Sequence, residues 1–221
     1  MLVTSRSAAE YRAMFDLAAG DLVGPVLDCC AGGSSFAAET GGWVVAVDPA
    51  YALGPGDLAE RVREGLDEGD RMIARNADRF EWGWYGDPGG RAAMRRSAGE
   101  RFLADLRERA GRYVAGALPD LPLATGGVEV ALCSHLLFTW AELGEEWHRR
   151  ALAELVRVAR REVRVFPVVA QATGEPVAFL DRLRAELEAG GHRTELRQVP
   201  YRFQRGGDRM LWIRVGHGGS G

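Results

Sequence analysis

Two short apolar runs that each stop on an acid constrain this chain more than anything else in it. Val26-Leu27-Asp28 leads into Cys29-Cys30-Ala31-Gly32-Gly33-Ser34-Ser35-Phe36, and Trp43-Val44-Val45-Ala46-Val47 leads into Asp48. In order they spell strand, tight loop, short helix and strand, the opening of a nucleotide-binding βαβ unit. Gly32 and Gly33 carry no Cβ, so backbone N–H groups of this loop can approach a ligand. Asp48, at the tip of the second strand, is placed to accept hydrogen bonds from a ribose diol. An adenosine-containing ligand fits that geometry.

At 221 residues the chain suits one α/β domain with an insertion. A net charge of −3 argues against a general nucleic-acid binder, which carries a basic excess. All 28 basic residues are arginine, a usage that points to a GC-rich coding sequence. Cys29, Cys30 and Cys133 are too few for a disulfide framework, no histidine lies near the adjacent Cys29 and Cys30 at metal-ligand spacing, and the three read as buried free thiols in a reducing cytoplasm. We expect no metal site. The first ten residues lack a signal pattern and no apolar stretch reaches membrane-spanning length, so a soluble, cytoplasmic protein is expected.

A helix is expected over Ser7–Ala19, stopped by Gly20 and Gly24-Pro25, and strands over Pro25–Cys29 and Trp43–Val47. Ser34 or Ser35 can cap the helix after the loop. About 52–111 forms an insertion too long for a plain crossover, with helices over Asp57–Leu66 and Gly99–Ala110. Between these lies an aromatic, turn-rich stretch around Trp82, Trp84 and Tyr85, which either walls a flat substrate or anchors the insertion. Arg91, Arg95 and Arg96 either bind a carboxylate or phosphate or form a solvated helix face. Strands follow over Arg112–Gly116, Val128–Cys133 and Glu162–Val169, with amphipathic helices over Glu145–Ala159 and Pro176–Ala189. The His148-Arg149-Arg150 run is placed on the outer face of the former. Arg193–Val199 and Arg209–Val215 make a terminal antiparallel hairpin about Gly206-Gly207. Residues 1–216 are read as one domain and 217–221 as a flexible tail.

The sequence resembles the class I S-adenosylmethionine-dependent methyltransferases at three places: Val26-Leu27-Asp28 with the Gly32-Gly33 loop; Val44–Asp48; and Leu118–Leu123 with Val128–Phe138, an LP-x-LP pattern before an apolar strand ending in Ser-His-Leu-Leu. Tyr11–Phe15 is also similar to a short helix that closes over the cofactor in some members. The resemblance spans most of the chain outside the insertion. It implies a doubly wound, mostly parallel seven-stranded Rossmann-like sheet with an antiparallel terminal strand. It implies S-adenosylmethionine as cofactor, bound by Tyr11, Asp28, Ala31, Gly32, Gly33, Ser34, Asp48, Pro49, Leu118 and Ser134, with His135 as a candidate general base. Cys30 and Ser34 stand where the family pattern has its first and third glycines, and Ala117-Leu118 stands where an acid often reads the adenine amine.

Charge separates the cofactor classes. Asp28 beside a pyrophosphate is repulsive, whereas beside a sulfonium and an ammonium it is attractive, which disfavours a nicotinamide-dependent oxidoreductase. The expected activity is methyl transfer to a small-molecule acceptor, with the insertion as substrate lid. The alternative is an inactive domain binding S-adenosylmethionine or S-adenosylhomocysteine as a sensor. The strand ending at Cys133 lacks an Asn/Asp-Pro-Pro-aromatic tetrad, so DNA is not expected as acceptor, while RNA or protein stays open.

Overall fold

The computed structural model describes residues 3–171 and 173–216; the expected tail 217–221 lies outside them. Seven strands form one sheet: β1 (Val26–Cys29), β2 (Val44–Val47), β3 (Tyr113–Val114), β4 (Val128–Ser134), β5 (Ala159–Phe166), β6 (Arg193–Gln198) and β7 (Arg209–Arg214). Their spatial order is β3-β2-β1-β4-β5-β7-β6. The strands from β3 to β5 run parallel, and β7 is inserted antiparallel between β5 and β6. This is the arrangement implied by the methyltransferase resemblance. The order reverses at β1 and β4, the switch point outside whose carboxyl ends a ligand binds in open α/β sheets.

Strand side chains alternate between two apolar cores, one on each face of the sheet. Val26, Val130 and Leu132 join Tyr11, Phe15, Phe36 and Phe166 on one side. Leu27, Cys29, Ala131 and Cys133 join Leu152, Leu155 and Leu180 on the other. Among the described residues six α-helices flank the sheet: α1 (Ala8–Met14), α2 (Phe36–Thr40), α3 (Pro55–Arg75), α4 (Pro88–Glu108), α5 (Glu145–Val158) and α6 (Leu180–Ala189). Ser35 is the N-cap of the second helix and makes no side-chain cap bond, while Ser34 just before it accepts from Phe36 N through its Oγ at 3.1 Å.

Several boundaries differ from the sequence expectation. Helix α1 ends at Met14, and Asp16 adopts φ 48°, a left-handed conformation that a continuing helix cannot contain. The insertion helices are each 21 residues long, far longer than expected, and both start on a proline, Pro55 and Pro88, at a first-turn position where the missing N–H costs nothing. The expected strand Arg112–Gly116 contracts to Tyr113–Val114 at the sheet edge. Strand β5 starts at Ala159 and stops before Pro167, which lacks the donor needed to continue the ladder. Helix α6 begins at Leu180 rather than Pro176.

The segment Val3–Arg6 is a strap pressed between the glycine loop and the insertion. Gly33 N donates to Thr4 O at 3.0 Å and Ser35 N to Arg6 O at 2.9 Å. On the other side, Arg95 Nη1 donates to Ser5 O at 2.9 Å. A Cβ on Gly65 of α3 would fall 1.8 Å from Val3 O, so only glycine lets the helix lie this close.

Candidate active site

A cavity of about 950 Å³ opens above the carboxyl ends of β1, β2 and β4, near the upper end of the range for small-molecule sites. Gly32, Asp48, Pro49, Leu118, Ser134 and His135 all line it. The sheet floor thus brings together six of the residues expected from sequence. Tyr11, Asp28, Ala31, Gly33 and Ser34 are not on its wall and sit one layer behind.

Tyr11 and Asp28 form the core of that second layer. The Tyr11 hydroxyl donates to Asp28 Oδ1 at 2.8 Å, and its ring stacks on Phe36 with centroids 4.7 Å apart. Asp28 Oδ2 is buried without a hydrogen-bond partner. Burial pushes the Asp28 carboxyl up to about 7, against the opposing pull of the Tyr11 hydrogen bond. A carboxyl held there is poised to ionise when a cation arrives over the loop.

Asp48 is held in one orientation. Its Oδ2 accepts from Gly32 N at 3.0 Å and its Oδ1 from Ala50 N at 2.9 Å. Burial raises its pKa although both amides oppose the rise. Each oxygen keeps a lone pair free, so the carboxylate can still accept from a diol. Tyr51 closes the arrangement by donating to Gly32 O at 2.7 Å.

The glycine loop departs from the sequence reading in an informative way. Cys30 N and Ala31 N both donate to Val47 O, Gly32 N to Asp48, Gly33 N to Thr4 O, and Ser34 N to Ala31 O. Ser35 N goes to Arg6 O and Phe36 N to Ser34 Oγ. Every amide from Cys30 to Phe36 therefore already has a protein acceptor. The loop allows close approach but offers no nest of N–H donors for phosphate.

Strand β4 ends in Ser134 and His135. His135 adopts φ 54° and its N donates to Phe166 O at 2.7 Å. Its Nδ1 lies 2.9 Å from Ser134 Oγ. Burial, and then the charges of Arg6 and Arg95, hold the imidazole well below its ordinary pKa. The ring is consequently neutral near pH 7, and its surroundings disfavour the protonated form.

The insertion roofs the cavity. Gly69, Asp70, Met72 and Ile73 of α3 and Arg91 and Arg95 of α4 face it, joined by Phe80, Tyr201 and Phe203. Trp82 and Tyr85 pack edge-on against Phe203, and Trp84 against Tyr201. None of these three lines the cavity, so the aromatic stretch anchors the insertion to the loop between β6 and β7. Arg91 and Arg95 are buried while Arg96 is exposed, so the solvated-face reading holds for Arg96 alone. Arg95 lies 2.9 Å from Glu10 and donates to the Tyr85 hydroxyl at 3.1 Å. Glu10 also closes the capping box of α1 with Ser7. Although burial opposes its charge, Glu10 keeps Arg95 above the ordinary guanidinium range.

One further expectation is corrected. His148 is not on an outer face: it is buried, its Nε2 accepts from Phe138 N at 3.0 Å, and its Nδ1 lies 2.7 Å from Gly144 O. The three cysteines converge, because β1 and β4 pair Cys29 with Cys133. Their sulfurs all lie within 4.8 Å of one another, with Cys29 and Cys30 Sγ at 3.7 Å. That donor set suits a soft cation, and its signal lay in strand register rather than in sequence spacing. Among the described residues no helix is long and apolar enough to cross a membrane.

No family model matches the chain. An uncharacterized protein of Methanocaldococcus jannaschii (MJ0045) is 27% identical over 218 residues, covering 96% of each chain. Among solved structures, the chain is similar to the magnesium protoporphyrin IX methyltransferase of Synechocystis with bound S-adenosylmethionine. That match has 14% identity and a TM-score of 0.47, over 95% of this chain and 77% of that one. It is also similar to the 1,6-didemethyltoxoflavin-N1-methyltransferase of Burkholderia thailandensis with bound S-adenosylhomocysteine, at 16% identity and a TM-score of 0.44, over 95% and 76%. A 16S rRNA (adenine(1408)-N(1))-methyltransferase from Catenulisporales acidiphilia is matched at 15% identity and a TM-score of 0.47, over 96% and 92%.

Proposed function

We propose that the chain is an S-adenosylmethionine-dependent methyltransferase acting on a small-molecule acceptor. The observation that carries this reading is the glycine loop whose amides are all spent within the protein, lying over a buried, half-unpartnered Asp28. A dinucleotide needs donors there for its pyrophosphate; a cationic, phosphate-free adenosyl ligand needs negative charge instead.

The residues fit the cofactor's parts. Asp48 accepts from the ribose diol, while Pro49 and Leu118 border the adenine. Gly32 permits close approach of the chain, and Asp28, steadied by Tyr11 from behind, supplies the field that favours positive charge. When bound, the cofactor supplies an electrophilic methyl carbon on a positively charged sulfur. The protein's contribution to transfer is alignment and exclusion of water. The insertion roofs the cavity, and His135 at the end of β4 is the candidate general base, working against burial and two neighbouring cations that disfavour its protonated form. Its Ser134 contact orients the ring for that task.

Titration calorimetry with S-adenosylmethionine, S-adenosylhomocysteine and NAD tests the assignment. Micromolar binding of the first two without NAD is expected; preference for NAD overturns it. Labelled methyl transfer to a metabolite extract then separates an enzyme from a pure binder.

A further inference from the structure

The lid half of the cavity holds two buried guanidinium groups, Arg91 and Arg95 of α4, while the half-buried Arg6 lines the cavity beside the glycine loop. Two carboxylates answer them: Glu10 pairs with Arg95 at 2.9 Å, and Asp70 with Arg91 at 3.1 Å. Asp70 is shared with Arg96 at 3.9 Å. The remaining acids on the wall are placed elsewhere: Asp48 at the tip of β2, and Asp78 and Glu142 in exposed positions. The Nε atoms of Arg6, Arg91 and Arg95 are buried without an acceptor. Burial, reinforced by Arg95, depresses both Arg6 and Arg91 below the ordinary guanidinium range. Arg91, which shares Asp70 with Arg96 and has an unpartnered Nε, is the incompletely matched cation of the lid, and a buried guanidinium in that state is stabilised by a further anion.

The surroundings of the two α4 arginines differ from those of Arg6. Arg6 sits against the glycine loop, donates to Thr4 Oγ1 at 2.7 Å and accepts from Ser35 N through its carbonyl. It lines the glycine-loop end of the cavity. Arg91 sits at the lid end, 5.7 Å from the centroid of the Phe203 ring. Met72, Ile73 and Phe80 supply apolar surface in the same half of the cavity.

We propose that the methyl acceptor is an organic acid, its carboxylate or phosphate-ester group held by Arg91 with Arg95 behind it, and its apolar body lying against Met72, Ile73, Phe80 and Phe203. This deepens the reading above and rests on it for the position of the cofactor. Guanidinium groups recognise carboxylate and phosphate alike through paired N–H donors, so the two acid types share one site chemistry. The arrangement also explains why α4 turns two arginines inward: the helix presents a charged face to a roofed cavity.

Three probes of matched ring system test this on the full chain by calorimetry at saturating S-adenosylhomocysteine: 2-naphthoate, 2-naphthyl phosphate and the neutral 2-naphthamide. At least one anion is expected to bind tenfold or more tighter than the amide, and which one does so identifies the acid type. Arg91→Gln is expected to erase that preference while leaving S-adenosylhomocysteine affinity unchanged. Equal or tighter binding of the amide, no binding of any probe, or a preference that survives in Arg91→Gln overturns the proposal. Should that variant fail to fold, the wild-type contrast between anion and amide decides alone. A wild-type chain that ignores S-adenosylhomocysteine yet prefers the anions retains the acid site and loses the cofactor reading.

Discussion

The sheet floor and the roof of the cavity solve the burial of charge in opposite ways. On the floor, Asp28 is buried with one oxygen satisfied and the other unpartnered, and its charge awaits a ligand. In the roof, Arg95 is matched by a fully buried Glu10 and two further acceptors, so most of its charge is settled within the fold. The first arrangement favours binding at a cost in stability, and the second holds two pieces of the chain together. A site assembled from both has a responsive half, the floor, and a structural half, the roof, in which Arg91 rather than Arg95 is left to meet a ligand.

The largest effect is expected in the structural half. Glu10→Ala leaves the Arg95 guanidinium buried without its carboxylate and opens the cap of α1, so denaturant unfolding should show a loss of about 3–5 kcal/mol. A loss below 1 kcal/mol would erase the contrast between the two halves.

Next comes the pH dependence of the responsive half. Asp28 is raised from 3.8 to about 7 in the folded chain. The folded state thus binds more protons than the unfolded one between those values, and stability falls as pH rises through that window. The ligand-free wild type should lose up to about 4 kcal/mol relative to Asp28→Asn between pH 4 and 8. Parallel stability curves for the two proteins would mean that Asp28 is compensated by something other than a ligand. Asp48→Ala should weaken cofactor binding by about 1.5–3 kcal/mol, the scale of a charge-assisted hydrogen bond; unchanged affinity in a folded variant removes the ribose assignment. The smallest effect sharpens the comparison by its size. Arg101 and Glu39 join α4 to α2 at 2.6 Å, but Arg101 is 56% exposed, so thermal unfolding of Arg101→Ala should register a change within about 1 kcal/mol.

The floor was largely legible in sequence because its signals are local. An apolar run, an acid, a glycine pair and a second apolar run with an acid sit within a short stretch, and each is dictated by backbone geometry. The roof was not, because its determinants are long-range. Arg91 and Arg95 look like members of a solvated face until Glu10 and Tyr85 are seen opposite Arg95, and Asp70 opposite Arg91. Helix α4 lacks the clean apolar stripe that marks an inward face, since part of that face is guanidinium. His148 and Cys133 were hidden for the same reason: the Phe138 amide and the Cys29 sulfur that meet them are set by chain crossings, not by spacing. The strap Val3–Arg6 has no periodicity to read, and it is held by the carbonyls and amides that every residue possesses.

That strap has a consequence for how the chain reaches its final shape. Ser5 and its Arg95 partner are 90 residues apart in sequence, and the glycines that make room for the strap belong to the loop on one side and to α3 and α4 on the other. A segment that can dock early on the glycine loop is therefore clasped on its second side only when helices made much later arrive. The seam between the two halves closes late, and ligand affinity should be the last property a refolding chain recovers.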